Sequence, residues 1–481
     1  YLFDDQGSTK LVRKGESVPG GNGVFNRFLL HEIVALTNQD QIAFNADLIN
    51  IMANRVDSGV DPSVGTGIFR AHATGGVTEY VRTTDPAPDG NGAFGLPGCC
   101  PDAPWREFSP PGLDDVGSVA FFGYLIGTAG GMGVDDSGIF HSDGASLTRL
   151  LRLGQPDPVD GDTVDFLPPK FGSHRVGQVG FIADVDVVSP DYERMYVAEG
   201  GIFDKVFVSG GAPPDGDGDI VGMTRVRIAA NGNIVFVGFV NNTANPLDEG
   251  GTLFFFDGVM LQQIARVDQL APFEIELLRF EYFPGLDSNN ENEVAFSATL
   301  QHSTQPISTS VIYRWQGNGL SVAVHEGDPA PDGNGTFGDL AVPVFLNDSG
   351  QIAFEAEIEG SMLPPGLLSD VGLFVVDPDG TIQTVVRSGQ MLAGKTVYFP
   401  RSLASTGLVD PDPIDPFGDA DFPLRVGGID MINNSGQVAS SAILSEDGIV
   451  SEWGLFLWNG PVIYRTGMED GTLAGWDSSF P

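Results

Sequence analysis

Apolar and polar residues alternate over short runs along most of this chain, and the runs come in pairs joined by tight turns. Gln351 to Ile358 is the clearest run. Ile352, Phe354, Ala356 and Ile358 fall on one face and Gln351, Glu355 and Glu357 on the other, the period of a half-buried strand. Asn347-Asp348-Ser349-Gly350 before it reads as a turn, because an Asx side chain bonds its own backbone and Gly accepts a positive φ without steric cost. The turn joins the strand Leu340 to Leu346 to its successor as a hairpin. Val371-Gly372-Leu373-Phe374, the turn Asp377-Pro378-Asp379-Gly380 and Thr381 to Arg387 form a second hairpin. One unit is therefore four antiparallel strands.

The unit recurs. Its turn-plus-strand element appears seven times, at Thr37 to Phe44, Asp114 to Phe121, His174 to Phe181, Ala229 to Phe236, Asn289 to Phe296, Asn347 to Phe354 and Asn433 to Ser440, spaced 77, 60, 55, 60, 58 and 86 residues apart. The aromatic second hairpin appears eight times, with cores at Tyr1-Leu2-Phe3, Gly67-Ile68-Phe69, Gly138-Ile139-Phe140, Gly201-Ile202-Phe203, Thr252-Leu253-Phe254, Val311-Ile312-Tyr313, Gly372-Leu373-Phe374 and Gly454-Leu455-Phe456. Repeated four-stranded units that cannot bury their own faces are best closed in a ring. The expected fold is thus an all-β propeller over 1–481, with about seven four-stranded repeats plus one extra hairpin, hence seven or eight blades. An open β-solenoid is the runner-up, and units near sixty residues are long for its coils. The segments Cys99 to Pro111 and Val409 to Pro423 read as Pro- and Asp-rich insertions within repeats. The spare half-unit, shared between 1–25 and 452–481, either closes the ring within one molecule or pairs with a neighbouring copy, because an exposed edge templates strand addition.

Composition narrows the partners. Lys and Arg number 24 against 64 Asp and Glu, and a net charge of −40 argues against nucleic acid or an anionic membrane surface. It suits basic partners, divalent cations or solubility. No apolar run is long enough for a membrane-spanning helix. The chain opens at Tyr1 with no basic, apolar leader, which fits a secreted product after removal of its signal segment. The two cysteines are adjacent, Cys99-Cys100, and are either plain thiols or a vicinal or inter-subunit disulfide.

The octet Asn347-Asp348-Ser349-Gly350-Gln351-Ile352-Ala353-Phe354 resembles the signature of the NxxGxxAF tandem-repeat proteins, bacterial secreted proteins termed "choice-of-anchor" for their varied surface anchors. Asn289 to Phe296 has Asn292 in place of the Gly, Asn433 to Ser440 lacks the final Phe, and Thr37, Asp114, His174 and Ala229 replace the leading Asn. The resemblance implies an extracellular location and brings no catalytic residues.

Three recurring features offer chemistry. Acidic loops read DPAPDGNGAF at Asp85 to Phe94, DPAPDGNGTF at Asp328 to Phe337 and PPDGDGD at Pro213 to Asp219. Such loops can cage Ca²⁺, which takes six to eight oxygens. The calcium candidates are Asp215, Asp217, Asp219, Asp89, Asn91, Asp332 and Asn334, with Asp410, Asp412, Asp415, Asp419 and Asp421 as a second cluster. The other reading makes these loops simple connections between hairpins. Gly90 to Gly95 and Gly333 to Gly338 match GxGxxG, but a dinucleotide site needs that text between a strand and a helix. Second, Arg13, Arg82, Arg152, Arg266, Arg387 and Arg465 stand at one repeat position, with His325 and Val208 in the remaining copies. Each is expected to bond carboxylates or loop carbonyls and fasten neighbouring blades, or else to line a channel for an anionic glycan. Third, the six histidines show no HExxH spacing, and neither a nucleophile elbow nor a phosphate loop occurs. These readings point to a secreted, non-enzymatic structural or adhesive subunit that self-assembles through its terminal hairpins. The alternatives are a glycan- or protein-binding propeller and, behind it, a polysaccharide-active enzyme.

Overall fold

In a computed structural model the chain is all-β and forms a propeller. The structure describes most of residues 2–458; outside the description lie chiefly 29–34, 50–63, 97–106, 168–172, 187–191, 273–277, 363–369, 399–431 and 459–481. Cys99-Cys100, the cluster from Asp410 to Asp421, Arg13 and Arg465 fall outside it.

Six of the sheets are antiparallel blades built on the expected four-stranded order. The sixth blade shows how the sequence makes one. Its second strand, Ile352–Glu359, pairs with Val344–Leu346 and Thr336–Phe337 on one side and with Val371–Val376 on the other, and Ile382–Arg387 completes the sheet. The first strand is split because the entry loop delivers one piece to each end of the second strand. The same split occurs in three other blades, at Val24–Phe28 with Ala35–Leu36, Ala93–Phe94 with Gly112–Leu113, and Thr163–Phe166 with Ser173–Arg175. In the remaining two, Asp219–Ile228 and Leu278–Ser288, the first strand is continuous and absorbs the extra length as register shifts.

Among the described residues the regular blades number six, not the expected seven or eight. The last repeat enters a different sheet, in the order Gly7–Thr9, Leu2–Asp4, Ile449–Trp458, Val438–Glu446, Lys395–Tyr398, Met391–Leu392. Leu2–Asp4 runs parallel to Ile449–Trp458, with Leu2 opposite Leu457, so both ends of the described chain share one sheet.

The Phe of the signature has one structural job in all six blades: it stacks across the ladder on the aromatic of the third strand. The pairs are Phe44–Phe69, Phe121–Phe140, Phe181–Tyr196, Phe236–Phe254, Phe296–Tyr313 and Phe354–Phe374, at centroid distances of 5.3 to 5.9 Å. All twelve side chains are buried. Such cross-strand pairs add about 0.5–1.5 kcal/mol each beyond area burial. The third blade corrects one expectation. Gly201 lies in the turn and Ile202–Val208 is the fourth strand, so Tyr196 of Tyr192–Glu199, not Phe203, supplies the third-strand aromatic.

One seam between blades carries a titrating group. Glu193 of the third blade accepts a hydrogen bond from the Met223 backbone N–H of the fourth and lies opposite Asp184 in the ladder. Burial, opposed by the Met223 N–H and reinforced by the Asp184 charge, pushes its pKa up to about 7. The native state therefore takes up this proton as pH falls through about 7, whereas an unfolded chain does so only near its ordinary value. Between those values stability rises as pH falls, by about 3 kcal/mol at most. Glu193→Gln is expected to raise stability at pH 8 and to flatten the wild-type-minus-variant difference to near zero at pH 4.5. Denaturant titrations at the two pH values check this, and an equal difference at both would refute it.

Candidate functional site

The turns that open each second strand converge on one end of the propeller, around a cavity of about 140 Å³. At this axial mouth the leading Asn of the signature acts twice. The Asn289 Oδ1 accepts from the backbone N–H groups of Glu291 and Glu293, and Asn433 Oδ1 does the same with Ser435 and Gln437. The amide nitrogen then reaches the next blade: Asn289 Nδ2 donates to Asn347 O at 3.0 Å, Asn347 Nδ2 to Asn433 O at 2.9 Å and Asn433 Nδ2 to Thr37 O at 3.2 Å. The side-chain amide carries an acceptor oxygen and a donor nitrogen on separate atoms, so it accepts inward and donates outward at once. Thr37 caps its own turn through Oγ1, which accepts from Gln39 N and Gln41 N, both at 3.2 Å.

A second ring sits at the rim. Asn38 places its backbone N–H and Nδ2 on the two oxygens of Asp115, at 2.9 and 3.0 Å, and Asn290 does the same to Asp348, at 2.9 and 2.8 Å. Asp348 N donates to Asn434 Oδ1 and Asn434 N to Asn38 Oδ1. The last repeat is thereby tied to the first across 396 residues of sequence.

The acidic loops lie elsewhere, and arginines fill them. Arg152, fully buried, places Nη1 on Asp89 Oδ2 at 2.6 Å and Nη2 on Asn91 O at 2.8 Å. Arg266 repeats this on Asp215 Oδ2 and Asp217 O, both at 3.0 Å, and Arg387 on Asp332 Oδ2 at 2.7 Å and Asn334 O at 2.6 Å. Arg82 reaches Asn22 O at 3.0 Å. Each arginine ends the fourth strand of a blade and holds the loop that leads into that same blade, so it anchors the incoming connection and does not bridge two sheets as expected. Burial alone would lower the Arg387 pKa; its bonds with Asp370 and the charges of Asp370 and Asp332 hold it above the ordinary value. The remaining candidates are also engaged. Asn91 Oδ1 caps Ala129 N, Asp217 Oδ1 caps Ala244 N, Asn334 Oδ1 caps Met362 N, and Asp219 accepts from Asn242 Nδ2. The glycine of each loop is there for close approach: a Cβ on Gly335, at φ +99°, would lie 2.6 Å from Glu359 O.

The third blade has Val208 in place of the arginine, and the guanidinium has moved across the ladder to Arg194, the partner of Val208 in register. Arg194 holds Asp157 at 2.7 Å and Asp160 at 3.1 Å and also bonds Asp162, while Lys205 bonds Asp160. Among the described residues, Asp157, Asp160 and Asp162 are the carboxylates grouped closely enough to hold a metal ion, with ligand atoms within 4.8 Å of one another. A metal there would share this acidic pocket with a guanidinium, and none of the seven calcium candidates belongs to it. Arg194→Gly is expected to destabilise by about 3 kcal/mol, because it leaves the buried Asp157 carboxylate unpaired. Adding Val208→Arg should restore at least half of that loss in chemical denaturation, and no recovery would rule out equivalence of the two positions.

Fold and site together define a β-propeller whose recurring polar residues form an axial amide ladder and a set of arginine-filled entry loops. The chain belongs to a family of unknown function, DUF7453, whose profile matches it twice, over residues 1–195 and 187–399. No curated protein matches it. Similar solved structures include a polysaccharide lyase, Uly1, 10% identical over 93% of this chain and 94% of that one, with a TM-score of 0.44. Another is an oligogalacturonate lyase in complex with manganese, 10% identical over 94% and 96%, with a TM-score of 0.39. A third is the acylaminoacyl peptidase of Pyrococcus horikoshii, 12% identical, TM-score 0.31, over 75% of this chain, which spans only 52% of the peptidase.

Proposed function

We propose that this protein is a secreted, non-catalytic propeller that serves as an extracellular structural or adhesive subunit. One observation carries the reading: the polar residues that repeat from blade to blade are spent on one another. The signature amides bond the next blade and the recurrent arginines bond the entry loops. Repeated positions used in this way build rigidity, which suits a load-bearing or adhesive subunit. The extracellular setting rests on the resemblance to the NxxGxxAF proteins. Self-assembly is the further part of the proposal, through strand addition at the sheet shared by the two chain ends.

Electron microscopy of the purified native protein, with calcium and after chelation, tests it. Regular filaments, abolished by deletion of residues 1–15, are the expected result. Discrete particles in both conditions would overturn the assembly proposal, and turnover of a polysaccharide by the purified protein would overturn the non-catalytic one.

A further inference from the structure

Four Asp–Pro peptide bonds lie among the described residues, after Asp85, Asp157, Asp328 and Asp377. Such a bond carries its own means of cleavage. The side-chain carboxyl can add to the carbonyl carbon of its own residue and close an anhydride ring, and the tertiary amide nitrogen of proline leaves as a protonated secondary amine. The addition needs a carboxyl oxygen that is not already held. Three of the four carboxylates are held at both oxygens. Asp157 accepts at Oδ1 from the Val159 and Asp160 N–H groups and pairs through Oδ2 with Arg194. Asp377 accepts from Gln351 at Oδ1 and from Gln383 at Oδ2, and Asp328 meets the His325 ring at Oδ1 and the His325 N–H at Oδ2. At Asp85 the Arg82 N–H holds Oδ2 at 2.9 Å, and among the described residues no group bonds Oδ1.

The surrounding loop favours the step. The Phe94 N–H donates to the Asp85 carbonyl oxygen at 2.9 Å, where negative charge develops as the carboxyl adds. Thr84, the preceding residue, holds φ at +79°, at the position of Gly154, Gly327 and Gly389 in other blades. A β-branched residue is strained there, and cutting the chain beside it relieves the strain. Burial raises the Asp85 pKa against the Arg82 N–H and the Arg82 charge, and the Glu79 carboxylate, paired with Arg82, is the other charged group acting on it. The neutral carboxyl, which brings the proton that the leaving nitrogen needs, therefore persists at milder acidity than at an ordinary aspartate. Pro86 is exposed and open to water. We propose that the Asp85–Pro86 bond is a self-cleavage site. The carboxyl oxygen bonds to the Asp85 carbonyl carbon, its proton passes to the Pro86 nitrogen and the carbon–nitrogen bond breaks. One water then opens the anhydride, leaving Asp85 as a free C-terminus and Pro86 as a free N-terminus. The cut falls between the first blade and the loop that Arg152 fastens to the second, so it severs the covalent link and spares the anchoring bonds.

Denaturing mass spectrometry of the full chain, held for days at pH 5.5 and at pH 7.5 with a parallel sample in urea, tests this. The folded chain is expected to yield fragments 1–85 and 86–481, at least tenfold faster at the lower pH, with one oxygen from labelled water in the 1–85 fragment. In urea the selectivity should vanish and the cut after Asp85 should slow to the rate of the other Asp–Pro bonds. Asp85→Glu keeps a carboxyl but needs a larger ring, and the folded variant should be cut at least tenfold more slowly. If that variant does not fold, the comparison of folded and denatured wild type decides alone. Absence of the cut, equal cutting after Asp157, Asp328 and Asp377, a cut after Asp85 no faster in the folded chain than in urea, or undiminished cutting of folded Asp85→Glu would overturn the proposal.

Discussion

Replacing Arg387 with methionine is expected to remove about 3–5 kcal/mol of stability, because breaking a buried ion pair from one side leaves the other side charged and unpaired. Two carboxylates are affected. Asp370 is buried and takes Nε at 2.8 Å and a second bond from Nη2, while Asp332 takes Nη1 on both oxygens, at 2.8 and 2.7 Å. The carbonyl of Asn334 loses its donor as well. Arg387→Lys keeps the charge but offers a point donor instead of a planar fork, so it should recover less than half of the loss. Denaturant unfolding measures both. The local consequence is read by faster hydrogen exchange at Ala330 and Phe337, whose N–H groups bond Gly335 O and Asp328 O within the loop the guanidinium anchors. A loss below about 1 kcal/mol for the methionine variant would mean that the guanidinium does not hold the loop.

The second large effect belongs to Asn347. Its Oδ1 accepts from Gln351 N at 2.9 Å, and its Nδ2 bonds Gln351 Oε1 at 2.9 Å and Asn433 O at 2.9 Å in the next repeat. Asn347→Ala discards all three bonds at a buried site, an expected cost of about 3 kcal/mol at roughly 1 kcal/mol per bond. Asn347→Asp is the sharper test. It keeps the inward acceptor but turns a carboxylate toward the Asn433 carbonyl, so at neutral pH it should cost at least as much as alanine. An aspartate variant as stable as the wild type would show that the outward amide contributes nothing between blades.

Much of the blade was legible from residue order. The alternation at Ile352, Phe354, Ala356 and Ile358 predicts the buried face that the structure shows, and all four are buried. The turn at Asn347 to Gly350 and its hairpin lie where the text places them, with Gly350 at a positive φ of 76°. The third blade departs from the expected pattern, because Gly201-Ile202-Phe203 imitates a third strand while opening the fourth. A turn of two glycines beside an apolar pair is locally indistinguishable from the start of one. The relocated arginine left a signal that could have been read: Val208 where arginine is expected, and Arg194 at the ladder position that is Gly67, Gly138 or Gly372 in other blades.

The sequence by itself determined what is set by neighbours along the chain: strand period, turn chemistry, the four-stranded unit and the net acidity. It could not determine what depends on groups brought together across blades. The loop oxygens at Asp89, Asp215 and Asp332 suggest a cation cage, and only tertiary structure reveals that the cation is a guanidinium roughly fifty to sixty residues further on. The amide of Asn433 can be seen as a turn cap from its own segment, whereas its bond to Thr37, 396 residues away, exists only once the ring has closed. The number of regular blades was likewise decided by closure. A repeat's text specifies four strands that can pair, but whether its last strand is its own or comes from the opposite end of the chain depends on which edge reaches it first in space.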